Sequence, residues 1–84
     1  MGRKEKLLAK FQQKPRDYTW DELTNLLKIL GYEQKKPKKT GGSRRRFVHP
    51  TAPAITLHKP HPQRIVNRYV INDVLEFLRR EGMI

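Results

Sequence analysis

The stretch KKPKKTGGSRRRFV, residues 35–48, decides how the chain folds and what it can meet. Seven of the twelve residues from 35 to 46 are Lys or Arg and none is acidic. Pro37, Gly41 and Gly42 supply a turn in its middle, because proline presets one backbone angle and glycine adopts conformations closed to other residues. Both flanks can be extended, with residues 32–36 as a short strand before the turn and residues 43–49 as a strand after it. A cationic loop between two strands is a surface for polyanions. Residues 37–42 are too many and too charged for a tight hairpin turn, so a mobile connection is expected there.

Downstream, HPTAP at 49–53 reads as a turn. Residues 54–58 then read as a third strand, with Ile55 and Leu57 on one side and Thr56 and His58 on the other. KPHPQ at 59–63 leaves that strand, since Pro60 and Pro62 lack the N–H a ladder needs and restrict the residues before them. A final helix carries a broad apolar stripe of Val70, Ile71, Val74, Leu75, Phe77 and Leu78. Gly82 ends it, and either Asn67 or Asn72 serves as its N-cap.

Upstream lies the clearest helix signal. Thr19 is an N-cap, Glu22 completes a capping box three residues on, and Tyr18 stands where it can staple against Leu23. Leu23, Leu26, Leu27 and Leu30 repeat at i, i+3, i+4 and i+7 as one apolar stripe. Gly31 stops the helix as a left-handed residue, with Tyr32 as the apolar contact beyond it. Residues 1–17 form an N-terminal extension in which Leu7, Leu8 and Phe11 are enough for a short helix, either docked or frayed.

The fold class is therefore α+β: a three-stranded antiparallel sheet with two amphipathic helices on one face, plus an extra helix in front. If Phe47, Ile55 and Leu57 face the helices, alternation sends Arg44, Arg46, Val48, Thr56 and His58 to the open face. Ser43 and Arg45 then fall on the helix side at the rim, where a long arginine still reaches water. Lys35, Lys36, Lys38 and Lys39 border the open face.

At 84 residues the chain is one domain with room for one core. It has no cysteine, so a disulfide framework, a thiolate metal site and cysteine catalysis are excluded. No apolar run is long enough to span a bilayer, the start MGRKEKLLAKF lacks the features of a secretory signal, and a cytoplasmic location is expected. The net charge is +11, with +6 in residues 1–42 and +5 in 43–84. Clustered cations favour nucleic acid, whose phosphates release counterions on binding. An anionic membrane fits less well without a basic amphipathic helix bearing Trp or Phe anchors, and an acidic protein fits the charge as well as RNA does.

Such a face has the parts to handle RNA. Guanidinium groups fork onto phosphates, and a histidine is the usual general acid or base near neutral pH. Cleavage without a metal needs a base for the ribose 2′-OH, cations for the charged pentacoordinate phosphate, and an acid for the 5′-oxygen. No pair of carboxylates near the basic stretch offers to hold a divalent ion, so neither metal nor other cofactor is expected. The plainer readings are a solvated strand for the arginine triplet and an ordinary surface residue for His58. His49 reads as structural, and Trp20 and Tyr32 as packing residues. His61, held between two prolines, reads either way.

Four segments, WDELTNLLKILGYE, GGSRRRF, ITLHKPHP and VLEFLRREGMI, occur in an order and spacing that resembles the HicA family of bacterial toxins, from about residue 18 to 83. The resemblance implies a fold like that of double-stranded RNA-binding domains over residues 18–84. It also implies cleavage of messenger RNA that blocks translation, and neutralisation by a HicB-type antitoxin that covers the catalytic surface. The family's Gly-Ser-His motif falls on Gly42 and Ser43, with Arg44 in the histidine position, as in a Ser-Arg-Arg-Arg-Phe subgroup. Arginine stays protonated and is no ordinary general base. His61 with Pro62 matches the family's His-Pro after the third strand, while His58 stands where proline is frequent.

The resulting expectation is that Arg44 and Arg46 hold the scissile phosphate while His58 or His61 transfers protons. Lys35, Lys36, Lys38, Lys39, Ser43 and Arg45 complete the RNA-binding surface. The alternatives are a site acting by strain and electrostatics alone, a variant inactivated at Arg44, a non-catalytic RNA-binding module, and a protein-interaction or operon-regulating partner.

Overall fold

The computed structural model describes residues 2–35, 44–60 and 64–84. Among them the order is α1 (Arg3–Gln12), α2 (Trp20–Ile29), β1 (Glu33–Lys35), β2 (Arg44–Val48), β3 (Ile55–His58) and α3 (Arg68–Arg80). The three strands form one antiparallel sheet in the order β1-β2-β3. This is the α+β arrangement that the hydrophobic pattern predicts. The connection expected over residues 37–42 lies outside the described residues.

One apolar layer joins sheet and helices. Phe47, Ile55 and Leu57 point into it from the strands, and Leu23, Leu26 and Leu27 of α2 meet Ile71, Val74, Leu75 and Leu78 of α3 there. Trp20 is a packing residue, as its place at the start of a capped helix implies: it is buried, with its ring centroid 6.0 Å from that of Phe47.

α2 begins and ends as its sequence requires. Thr19 accepts the Glu22 N–H at 3.1 Å and the Glu22 carboxylate accepts the Thr19 N–H at 3.0 Å, so two otherwise orphaned donors are satisfied reciprocally. At the other end the Tyr32 N–H reaches Leu27 O at 2.9 Å and the Gly31 N–H reaches Lys28 O at 3.1 Å, the paired bonds of a Schellman stop. Gly82 ends α3 in the same way, with Met83 N–H on Leu78 O at 2.9 Å. Asn67, not Asn72, is the N-cap of α3, in an extended conformation and without a side-chain cap bond.

α1 is docked. Phe11 is fully buried, its ring 5.3 Å from that of Tyr18, whose hydroxyl donates to Leu7 O at 3.3 Å. Burying a tyrosine is tolerable only when its O–H finds an acceptor, and here the acceptor comes from α1 itself. Tyr18 therefore packs back onto α1. Lys10 adds a charged tie, its Nζ lying 3.0 Å and 3.2 Å from the two Glu22 carboxylate oxygens. Burial pushes the Tyr18 hydroxyl well above its usual pKa, with the nearby Glu22 charge adding to the rise. Burial alone would raise Glu22 as well. The bonds it accepts from Thr19 and Lys10 outweigh that and hold its carboxyl below the ordinary carboxylate value.

Strands β1 and β2 stop short of Tyr32 and His49, which the alternation would have included, because both residues are engaged at the end of α2, Tyr32 through its backbone N–H on Leu27 O and His49 through its ring on Leu30 O. Tyr32 is buried and donates its hydroxyl to Pro53 O at 2.9 Å, tying the end of α2 to the turn between β2 and β3. The His49 ring lies 4.9 Å from the Tyr32 ring. Its Nδ1 accepts the N–H groups of Thr51 and Ala52, each at 3.1 Å, so the proton of the neutral ring sits on Nε2, which donates to Leu30 O at 3.2 Å. His49 is structural, as its place in the HPTAP turn suggests.

Gly31 lies directly under that ring. Its φ is +105°, and a Cβ there would come within 2.7 Å of His49 Nε2. Gly31→Ala is expected to cost about 1–3 kcal/mol for the backbone conformation alone, with the displaced His49 cap adding to it. Chemical denaturation would measure this, and an unchanged midpoint would show that the stop relaxes without consequence.

A further tie joins the two helix starts. The Trp20 N–H donates to Arg64 O at 2.7 Å and the Val66 N–H to Tyr18 O at 2.9 Å, forming a bridge between Thr19 and Ile65. It holds the segment leading into α3 against the segment leading into α2.

Candidate functional site

The strand register places the cationic residues. Arg44 pairs with His58, Arg46 with Thr56, and Lys35 with Arg46, while Phe47 pairs with Ile55 and Arg45 with Leu57. Directly opposite residues share a face, with Cβ atoms about 5 Å apart. Since Phe47, Ile55 and Leu57 are buried against the helices, Lys35, Arg44, Arg46, Thr56 and His58 lie on the other face, and all five are exposed.

That face contains two adjacent rows. One runs Lys35, Arg46, Thr56 across all three strands, and the next pairs Arg44 with His58. Two guanidinium groups at alternate positions of one strand can grip a single phosphate or neighbouring ones. His58, opposite the outer arginine, stands where it could meet the same phosphodiester. Arg45 lies at the rim, half-buried on the helix side, and its Nη1 donates to the Arg44 carbonyl at 3.0 Å. Among the described strand residues Glu33 is the acid on this face, at the far corner opposite Val48. Its carboxylate is 3.7 Å from Lys35 Nζ, and both groups are well exposed, so the pair neutralises little.

The sequence-predicted Lys36, Lys38, Lys39, Ser43 and His61 lie outside the described residues. Of the candidates within them, the sheet brings Lys35, Arg44, Arg46 and His58 together, with Arg45 beside them at the rim. Among the described residues no group of three or more His, Cys, Asp or Glu side chains is gathered as metal ligands would be, and no helix is long and apolar enough to cross a membrane.

Periodicity did not reveal a groove of about 490 Å³ between the outer edge of β3 and α3. His58 lines it from the strand, and Tyr69 and Asp73 from the helix. Tyr69 is 68% exposed. Its one sequence signal is an aromatic in the first turn of α3 that falls outside the buried stripe of Ile71, Val74, Leu75 and Leu78.

Compared with protein families, residues 20–79 match the family described as HicA toxin of bacterial toxin-antitoxin. The comparison with curated proteins and that with solved structures each return no match. The matched stretch runs from the capped start of α2 to the last turn of α3, taking in the whole sheet and its cationic face. The chain belongs to the HicA family of toxins of bacterial toxin–antitoxin systems.

Proposed function

We propose that the chain is an endoribonuclease toxin that cuts messenger RNA and so blocks translation in the cytoplasm, and that a HicB-type antitoxin neutralises it by covering the open face of the sheet. The observation that carries this reading is the cross-strand pairing of Arg44 with His58 on an exposed cationic surface. The fold is read as that of a double-stranded RNA-binding domain turned to single-stranded substrate, with α2 and α3 backing the sheet.

In the proposed reaction Arg44 and Arg46 bind the scissile phosphate and stabilise the extra negative charge of its pentacoordinate state. A proton leaves the ribose 2′-OH for a base, the 2′-oxygen bonds to phosphorus, and the bond to the 5′-oxygen breaks as that oxygen takes a proton from an acid. His58 is one of these two groups and His61 the candidate for the other. The products are a 2′,3′-cyclic phosphate and a 5′-hydroxyl. The chain's own cations and imidazoles suffice for each step.

Incubating the purified protein with a long messenger RNA, with and without EDTA, tests this. Fragments ending in cyclic phosphate in both samples are expected. RNA retained whole on the protein would instead support the second reading, a non-catalytic RNA-binding module, which is favoured by an arginine at the position where the family motif has histidine.

A further inference from the structure

We propose that the groove between β3 and α3 is a nucleobase subsite, which receives one unpaired base of an RNA strand whose phosphates lie along Arg44 and Arg46. The inference rests on the RNA reading above and extends it from backbone binding to base recognition.

Four observations converge. The groove is continuous with the cationic face, because His58 both lines the groove and pairs with Arg44 across the sheet. Its floor is apolar, with Leu57, Val66 and Phe77 among its lining, and at about 490 Å³ it falls in the size range of pockets that enclose small planar ligands. At its mouth stands Tyr69, a large aromatic that the core leaves 68% exposed. Its walls also carry Asn67 and Asp73, an amide and an acceptor able to bond the edge of a base.

The chemistry fits a base better than a peptide side chain. Single-stranded RNA is recognised by splaying bases out of the stack onto aromatic rings and hydrogen-bonding their edges, while cations hold the backbone. All three elements occur here within one stretch of surface, at β3, the first turns of α3 and the Arg44 and Arg46 positions of β2. A second hollow of about 450 Å³, between α2 and β1, has no exposed aromatic: its two aromatics, Tyr32 and Phe47, are buried.

Asp73 gives the subsite a preference. A carboxylate only accepts, so it favours bases that present an amino group, such as cytosine or adenine, over uracil. Asn67 both donates and accepts and is compatible with either.

The test uses the full chain and fluorescein-labelled oligoribonucleotides, some carrying every base and others with a single abasic ribose, binding being measured at fixed salt. Tyr69→Ala is expected to weaken binding of base-bearing RNA by about 5- to 150-fold, the range of one lost base–aromatic stack. The salt dependence should be unchanged, because phosphate contacts set that slope. Tyr69→Phe is expected to restore binding, and Asp73→Asn to reduce the preference for cytosine- over uracil-containing RNA.

If Tyr69→Ala binds base-bearing RNA as the unaltered chain does, the subsite is overturned while the RNA reading stands. A Tyr69→Ala protein that keeps its RNA binding but loses its antitoxin would assign the groove to protein docking, with the same result. If the unaltered chain binds no oligonucleotide at all, the RNA reading fails and the subsite with it. Melting curves separate these outcomes from misfolding, which an exposed Tyr69 makes unexpected.

Discussion

Replacing Phe11 by Ala is expected to destabilise the protein by about 3–5 kcal/mol. Phe11 is fully buried, and it is the partner against which the Tyr18 ring packs. Truncating it opens a void beside Tyr18 and loosens α1, whose Leu7 carbonyl accepts the Tyr18 hydroxyl. Small domains have only about 5–15 kcal/mol in hand, so the loss is a large fraction of the whole. For a domain of this size it lowers the melting temperature by roughly 15–30 °C, as thermal unfolding followed by circular dichroism would record. A shift of only a few degrees would mean that α1 is frayed in solution and that Tyr18 has other cover.

His58→Ala is expected to slow RNA cleavage by about 10²- to 10⁴-fold, the usual contribution of one general acid or base. Fold stability should hardly change, since the side chain is exposed and β3 pairs with β2 through its backbone. The pH–rate profile distinguishes this role from a loss of binding: losing a general acid or base changes the shape of the profile, whereas losing a phosphate contact scales the whole curve. The double variant His58→Ala, His61→Ala covers the case in which one histidine substitutes for the other. Undiminished cleavage by the double variant would exclude the imidazoles and leave Arg44 and Arg46 to act by electrostatics alone.

The parts of this molecule that could be read from the sequence are those decided by near neighbours. The capping box at Thr19 and Glu22 and the glycine stop at Gly31 depend on residues within a turn of one another, and both stand as written. Alternation likewise separates Phe47, Ile55 and Leu57 from Arg44, Arg46 and His58, because the pleat leaves only two faces to choose from. That Arg44 lies opposite His58 is a finer fact. It depends on the register, which the turn between β2 and β3 sets.

What the pattern could not decide are contacts between distant parts of the chain. Leu7, Leu8 and Phe11 fit a docked or a frayed helix equally, until Tyr18 is seen to need both a ring partner and an acceptor for its hydroxyl. His49 caps a carbonyl nineteen residues away in sequence. The β3–α3 groove is the space left between two elements, and no local pattern encodes such a space. Tyr69 and Asp73 gain meaning only once that space is seen.

The bridge between Thr19 and Ile65 bears on how the molecule comes apart. It laces the entry of one helix to the entry of the other, and the apolar layer takes residues in turn from α1, α2, the strands and α3. Neither α1–β1 nor β2–α3 therefore encloses an oily interior without the other. Loosening either half wets the other, so unfolding is expected to be a single cooperative event that takes the cationic sheet with it.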